Sequence, residues 1–321
     1  MPHISVIIPC YNASSYIENC LDALERQSFR NFDVILVDDC SADDTVDVIR
    51  TFCAESNLQI TLLCNEENAG PGVSRNRGIR HSDSEYVCFC DCDDWYDRDY
   101  LERMVEASGN GQADMVLCNS RKVTARGAAD ILLFKDMATS ASAQQVLALG
   151  IDSLCCMMVR REIAAAAPQP ALRNGEDMAV IPLMIMQCRQ FGFVEKCIYN
   201  YLCRPGSLSL SACAGVMTVL EQSFSHIADH QLPGFEQEIE FIGIKNLVYG
   251  GLLNHFKAEK SVFPARQLLE RFEQRYPRWY CNPYRKGLPL FKRLFVFFAK
   301  LRWFVPLRLM CRVHRQLTER G

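Results

Sequence analysis

Asp91-Cys92-Asp93-Asp94-Trp95 follows the strand-like run Tyr86 to Cys90, so its carboxylates fall where a strand stops and a ligand can reach them. Mg²⁺ and Mn²⁺ prefer oxygen ligands and take only one or two carboxylates from protein, completing the shell with water and phosphate oxygens. Asp91 and Asp93 therefore suit a divalent ion that carries a diphosphate. The same residues also suit an acidic strand-to-helix turn in which Asp94 or Asp97 caps the helix carrying Tyr100, Leu101 and Met104. Arg75 and Arg77, on a helix opened by Gly70-Pro71-Gly72, add cations that can offset diphosphate charge through a planar fork of donors; one of the two equally suits a solvated surface.

These residues need elements to bring them together. Ile4 to Ile8 is a β-branched run ending at Pro9, and Ile17, Leu21 and Leu24 then recur at helical spacing from Ser14 to Arg26. The unit repeats: Phe32 to Val37 runs into Asp38-Asp39, and a helix starts near Thr45. Gln59 to Leu63 is a third strand, the Asn68 to Gly72 turn leads into a helix through Val73 and Ile79, and Tyr86 to Cys90 is the fourth strand. Such alternation predicts an α/β fold with a mostly parallel sheet flanked by helices. Ligands of these sheets collect beyond the carboxyl ends of the strands, and four loops with unusual residues converge there.

The segments SVIIPCYNASSYIENCLDALERQSFRNFDVILVDDCSADDT, NAGPGVSRNRGI and YVCFCDCDDWY, in that order over residues 3 to about 105, resemble the family 2 glycosyltransferases. The resemblance implies the GT-A fold, the nucleotide-diphospho-sugar transferase fold, and an inverting enzyme with a divalent metal, Mn²⁺ or Mg²⁺. Carried over by position, it implies that Tyr11 stacks on the nucleobase, that the Pro9 loop shapes its pocket, and that Asp39 accepts a base N–H, which suits uracil. It places Gly70 in the donor loop, Asp91 near ribose and metal, and Asp93 as the main metal ligand. Arg75, with Asn76, matches the family's Arg-Asn pair and is favoured over Arg77 for the diphosphate. Asn174-Gly175-Glu176-Asp177 matches the family's Glu-Asp motif, with Asp177 as catalytic base and Glu176 as its neighbour. Acids at a helix start are also simply favoured by the dipole. Arg204 and Ser207 resemble the family's Arg-x-x-Ser segment that closes the domain after the base, which implies that they approach the diphosphate or order a loop over it; a plain surface turn fits them equally. Met157 departs from the pattern, standing where relatives often carry Lys.

Composition fits a globular enzyme with an appendage: 321 residues, 49% hydrophobic and 23% charged, with a formal charge of −3. That charge is uneven, because residues 285–321 hold ten Lys/Arg against Glu319 alone. This basic end interleaves Lys292, Arg293, Lys300 and Arg302 with Phe295, Phe297, Phe298, Trp303 and Phe304 until Pro306 interrupts it. A spanning helix is disfavoured by the charges. An interfacial helix on an anionic membrane fits, with a packed C-terminal helix or homodimer contact as the alternative. The 17 cysteines are odd in number and scattered through element interiors, and no signal-like segment precedes Ile4, so a reducing cytoplasm is expected, at the inner face of the plasma membrane. Cys88, Cys90 and Cys92 read as small core residues.

The expected organisation is a catalytic domain over residues 1–210, with a nucleotide-sugar half (1–118) and an acceptor half (119–210). A helical extension (211–284) and the basic amphipathic tail (285–321) follow. Lys122 to Ala143 has weak periodicity and reads as a loop. The expected partners are a UDP-sugar donor and a glycan or lipid-linked acceptor, with no nucleic acid. Two other readings remain. A sugar nucleotidyltransferase should carry a Gly-rich basic loop after its first strand, where this chain has Pro9-Cys10-Tyr11-Asn12, and an inactive sugar-nucleotide-binding module should lack Asn174 to Asp177.

Overall fold

A computed structural model describes residues 3–320 apart from 136, 173, 205–214 and 259–260. The chain forms two compact units, Met1–Pro205 and Gly206–Gly321. The first is built on a nine-stranded sheet in the order β3-β2-β1-β4-β8-β6-β9-β5, with β7 paired to β6. β1 (Ile4–Cys10), β2 (Phe32–Asp38), β3 (Ile60–Cys64) and β4 (Tyr86–Phe89) pair in parallel. All seven β1 residues are buried, as expected of a β-branched run covered on both faces. β4 pairs with β1 only as far as Ile7, so Pro9 lies where β2 alone flanks the strand and a missing N–H is tolerated. β1 thus continues one residue past the expected stop.

Four connecting helices follow the predicted order: α1 (Ile17–Glu25), α2 (Thr45–Glu55), α3 (Pro71–His81) and α4 (Tyr100–Ala107). α3 packs closely on β1, since a Cβ at Gly78 would lie 2.5 Å from Ile7 Cγ2. Beyond β4, the two-residue β5 (Trp95–Tyr96) pairs antiparallel with β9 (Phe191–Leu202). β8 (Met157–Arg160) runs antiparallel between β4 and β6 (Met115–Thr124), and β6 runs parallel to β9. Residue 118, the expected border between two halves, lies inside β6.

The stretch expected as a loop after Lys122 is instead a hairpin, β6 with β7 (Gly127–Ile131), followed by α5 (Ala143–Leu149). Its β7 sequence, Gly-Ala-Ala-Asp-Ile, is exposed throughout and carries no alternation to read. Register against β9 shifts at Cys118 to Ser120, and Asn119 fills the irregularity. Its Nδ2 donates to the Phe134 and Glu195 carbonyls, while its Oδ1 accepts from the Leu133 and Phe134 N–H groups. Two further helices, α6 (Arg161–Ala166) and α7 (Glu176–Ile185), complete this unit.

The second unit is helical: α8 (Val216–His230), α9 (Glu236–Gly243), a π-helical stretch Ile244–Gly251 leading into α10 (Leu252–Ala258), α11 (Phe263–Arg275), α12 (Leu290–Lys300) and α13 (Phe304–Arg320). Phe224, Phe272 and Trp279 form its aromatic core, and a Cβ at Gly243 would approach within 2.5 Å of Phe272. The basic tail is therefore part of this core on one face, because Phe295, Val296, Phe304 and Leu307 are buried. Pro306 does not interrupt a helix. It sits in the first turn of α13, where its missing N–H is not needed. The break falls at Leu301 to Trp303, where Arg302 has φ 54°. Lys300 and Arg302 both pair with Glu273, and Lys292 lies over the Tyr249 ring. No helix among the described residues is long and apolar enough to cross a membrane.

Candidate active site

The loops after β1, β2 and β3 lie together at the carboxyl edge of the sheet. Tyr11 offers a half-exposed ring (50%) just past β1, held there by Asn12 at φ 48°, whose N–H donates to Ser41 Oγ. Pro9 is buried within β1, so it fixes the strand end rather than lining the surface. Asp39 is engaged within the fold. Its Oδ1 accepts from Asn65 Nδ2 and the Ala69 N–H, and its Oδ2 accepts from the Gly70 N–H at 2.7 Å. Gly70, at φ 92°, thus spends its amide on Asp39 and supplies the backbone turn that starts α3. Neighbouring Asp38 is the informative one. It is buried, its Oδ2 accepts from the Ser41 N–H, and its Oδ1 has no partner. A buried acceptor left unpaired costs free energy unless a ligand donor meets it.

The acidic turn after β4 separates into roles. Asp94 is buried and structural: it accepts from the Tyr199 hydroxyl and, at 2.7 Å, from the Leu202 N–H, which ties the turn to β9. Burial first and the charge of Asp91 second push its pKa up to about 8. Asp93 points toward Arg204, which donates to it through Nε at 2.7 Å and also lies over the Tyr16 ring. Burial and then Asp91 raise the Asp93 pKa, against the opposing pull of Arg204. Asp91 is the more open of the pair, with a side chain 40% exposed. Two carboxylates repelling one another across a short turn form a donor set that fits a hard divalent ion completed by phosphate and water. No group of three or more His, Cys, Asp or Glu among the described residues is arranged to hold a metal unaided. Ser207 lies outside the described residues, and Met157 is buried at the start of β8.

Arg75 lies beneath the acidic turn, engaged with carboxylates. Its side chain is 3% exposed and is committed to three carboxylates: Nη1 donates to Glu176 Oε1 at 2.8 Å and Asp177 Oδ1 at 2.9 Å, and Nη2 donates to Asp91 Oδ1 at 2.8 Å. A guanidinium so engaged balances the charge of these carboxylates. Asn76 reinforces the junction by exchanging two hydrogen bonds with the Gln169 backbone. Gly72 permits it, since a Cβ there would lie 2.9 Å from the Pro170 carbonyl oxygen. Arg77 braces the β3 end through Cys64 and Asn65.

Asp177, at the start of α7, also accepts from the Leu154 N–H at 3.2 Å, and its side chain remains 20% exposed. Burial pushes its pKa up to about 7, with Arg75 opposing and with Glu176 and Asp91 adding to the rise. A partly open carboxyl titrating near neutrality can accept a proton from an incoming hydroxyl. Cys20 and Cys90 sulfurs meet at 3.7 Å beneath the acidic turn, and every cysteine among the described residues is a free thiol. Cys88 and Cys90 are buried, as their small-core reading expects, but Cys92 sits in the turn and is only half-buried, so it is not a core residue.

Solved structures share this mixed, mostly parallel sheet with its flanking helices. The Staphylococcus aureus TarS 1–349 complex with UDP superposes with a TM-score of 0.74 at 20% identity, covering 98% of this chain and 91% of that one. The Pyrobaculum calidifontis mannosyltransferase PcManGT, solved with GDP-Man and Mn²⁺, gives a TM-score of 0.59 at 20% identity over 94% and 86% of the two chains. The fold is GT-A. The model of glycosyl transferase family 2 matches residues 5–166, and the chain belongs to that family. Among curated relatives, Bacillus subtilis EpsH, a putative glycosyltransferase, is 36% identical over 37% of this chain and 33% of its own length. Bacillus subtilis TuaG, a putative teichuronic acid biosynthesis glycosyltransferase, is 28% identical over 65% of this chain and 82% of its own length. The match thus spans about a third of EpsH.

Proposed function

We propose that this protein is an inverting glycosyltransferase that moves a hexosyl or N-acetylhexosaminyl group from a UDP-sugar to a hydroxyl of a glycan or lipid-linked glycan in cell-surface polysaccharide synthesis. The observation that carries this reading is Asp177, a partly open carboxyl with a pKa near 7, linked through one guanidinium to Asp91 at the acidic turn. The UDP and UDP-GlcNAc complexes of TarS support uridine as the donor nucleoside. Tyr11 stacks on the base, and the partnerless oxygen of Asp38 receives a base N–H, the part first assigned to Asp39.

Asp91 and Asp93 would hold a divalent ion, Mn²⁺ or Mg²⁺, which would supply positive charge to offset that of the departing diphosphate. Asp177 takes the proton of the acceptor hydroxyl as its oxygen attacks the anomeric carbon opposite the diphosphate, which inverts the anomeric configuration. Arg204, beside Asp93, adds positive charge on the diphosphate side. Asp94 and Tyr199 hold the acidic turn against β9. Residues 285–321 tether the enzyme to an anionic membrane surface at the cytoplasmic face, consistent with a lipid-linked acceptor. A screen of UDP-, GDP- and dTDP-sugars with Mn²⁺, reading nucleotide release, tests the donor class. UDP-sugars should be consumed fastest, and a preference for GDP- or dTDP-sugars would contradict the reading.

A further inference from the structure

We propose that Arg75 is a positioning residue for sugar transfer, a buried guanidinium that fixes the donor-side carboxylate Asp91 and the base Asp177 relative to one another. The inference rests on the reading of Asp177 as the base. Three observations carry it. One guanidinium reaches carboxylates from two separate places in the fold, Asp91 after β4 and the Glu176–Asp177 pair opening α7, at 2.8 to 2.9 Å. α3, which bears Arg75, is pinned to the segment before α7 by the two-way Asn76–Gln169 contact and by the close approach at Gly72. Among the described residues the other hydrogen bond to the Asp177 carboxyl comes from the Leu154 N–H at 3.2 Å, so the Arg75 fork sets where its oxygens point.

Buried charges must be paired, and breaking such a pair from one side leaves the rest uncompensated. Arg75 therefore supplies the charge that lets three carboxylates gather at one place. Its planar fork holds two of them through Nη1 and the third through Nη2, a geometry that a lysine ammonium does not reproduce. Nε has no partner, which is consistent with a guanidinium oriented by its carboxylates rather than by the surrounding core. Base recognition resides elsewhere, at Tyr11 and Asp38, so losing the fork should impair transfer more than metal-free nucleotide binding.

The test compares full-length wild type, Arg75→Lys, Asp177→Asn and the double variant. UDP without added metal is the calorimetric probe, because Asp91 is itself placed at the metal, and UDP release from the UDP-sugar that the wild type consumes fastest, with Mn²⁺ present, is the turnover readout. Arg75→Lys should bind UDP within about threefold of wild type and lose at least about tenfold in turnover, while the double variant should match Asp177→Asn within about twofold, because groups acting as one unit are not additive. Should Arg75→Lys lose its cooperative melt, Arg75→Lys/Glu176→Gln, which removes one buried carboxylate, carries the same comparison. A parallel collapse of UDP affinity would make Arg75 a nucleotide ligand instead and overturn the inference. So would independent, multiplying losses in the double variant while Asp177→Asn stays impaired, an outcome that leaves the base assignment standing. Wild-type turnover in Asp177→Asn would remove the base itself.

Discussion

Asp177 and Asp38 show how chemistry here is set by neighbours rather than by residue type. A carboxyl raised from an ordinary 3.8 to about 7 is protonated at mildly acidic pH and becomes a base as pH rises. Turnover should therefore climb with pH along a limb centred near 7, and Asp177→Asn should abolish that limb and reduce the rate by roughly 10²–10⁴-fold with donor binding retained. A pH–rate profile of both proteins checks this. The stability consequence has the opposite sense. Because the folded state binds this proton more tightly than the unfolded chain, stability from Asp177 falls as pH rises between about 4 and 7, which urea titrations across that range will register. The acidic motifs at positions 38–39, 91–94 and 176–177 were legible in the sequence, but the division of labour within each was not. Adjacent aspartates look alike as text. Only the fold gives Asp39 to the Gly70 loop, Asp94 to Tyr199 and Leu202, and leaves one Asp38 oxygen bare.

Elements followed the sequence wherever burial imposed a period. β1 to β4 and α1 to α4 emerge from continuous apolar runs or 3.6-residue spacing, and α3 illustrates how tightly they meet. Gly78→Val would drive a side chain into Ile7, so it should destabilise the first unit by about 1–3 kcal/mol and lower turnover by shifting Arg75, readable as a reduced urea midpoint. Elements without a periodic signature stayed hidden. β7 is exposed at every position, and the Asn119 irregularity depends on partners at 133, 134 and 195 that lie far along the chain. The α12–α13 break is set by three residues centred on a left-handed Arg302, whereas Pro306, the conspicuous breaker, is harmless in a first turn.

At the scale of the whole molecule, the basic tail has two faces. Leu290, Leu294, Phe297 and Leu301 are exposed at helical spacing on or just after α12, and Val305, Leu309 and Val313 on α13, while Phe295 and Phe304, expected from sequence to meet lipid, are buried. Removing the tail would therefore open the core of the second unit, and surface substitutions are the better probe. Full-length Leu294→Glu/Phe297→Glu/Leu309→Glu should sediment several-fold less with phosphatidylglycerol-containing vesicles than wild type, and salt should weaken wild-type binding only in part. Equal sedimentation would make the stripe a protein contact. Calorimetry of UDP with and without Mn²⁺, on wild type and Asp93→Ala, tests the central claim most directly. Mn²⁺ should tighten UDP binding to the wild type by at least about tenfold and have little effect on Asp93→Ala, since a hard ion bridges carboxylate and diphosphate. Equal UDP affinity with and without Mn²⁺, or Asp93→Ala binding that responds like the wild type, would contradict it.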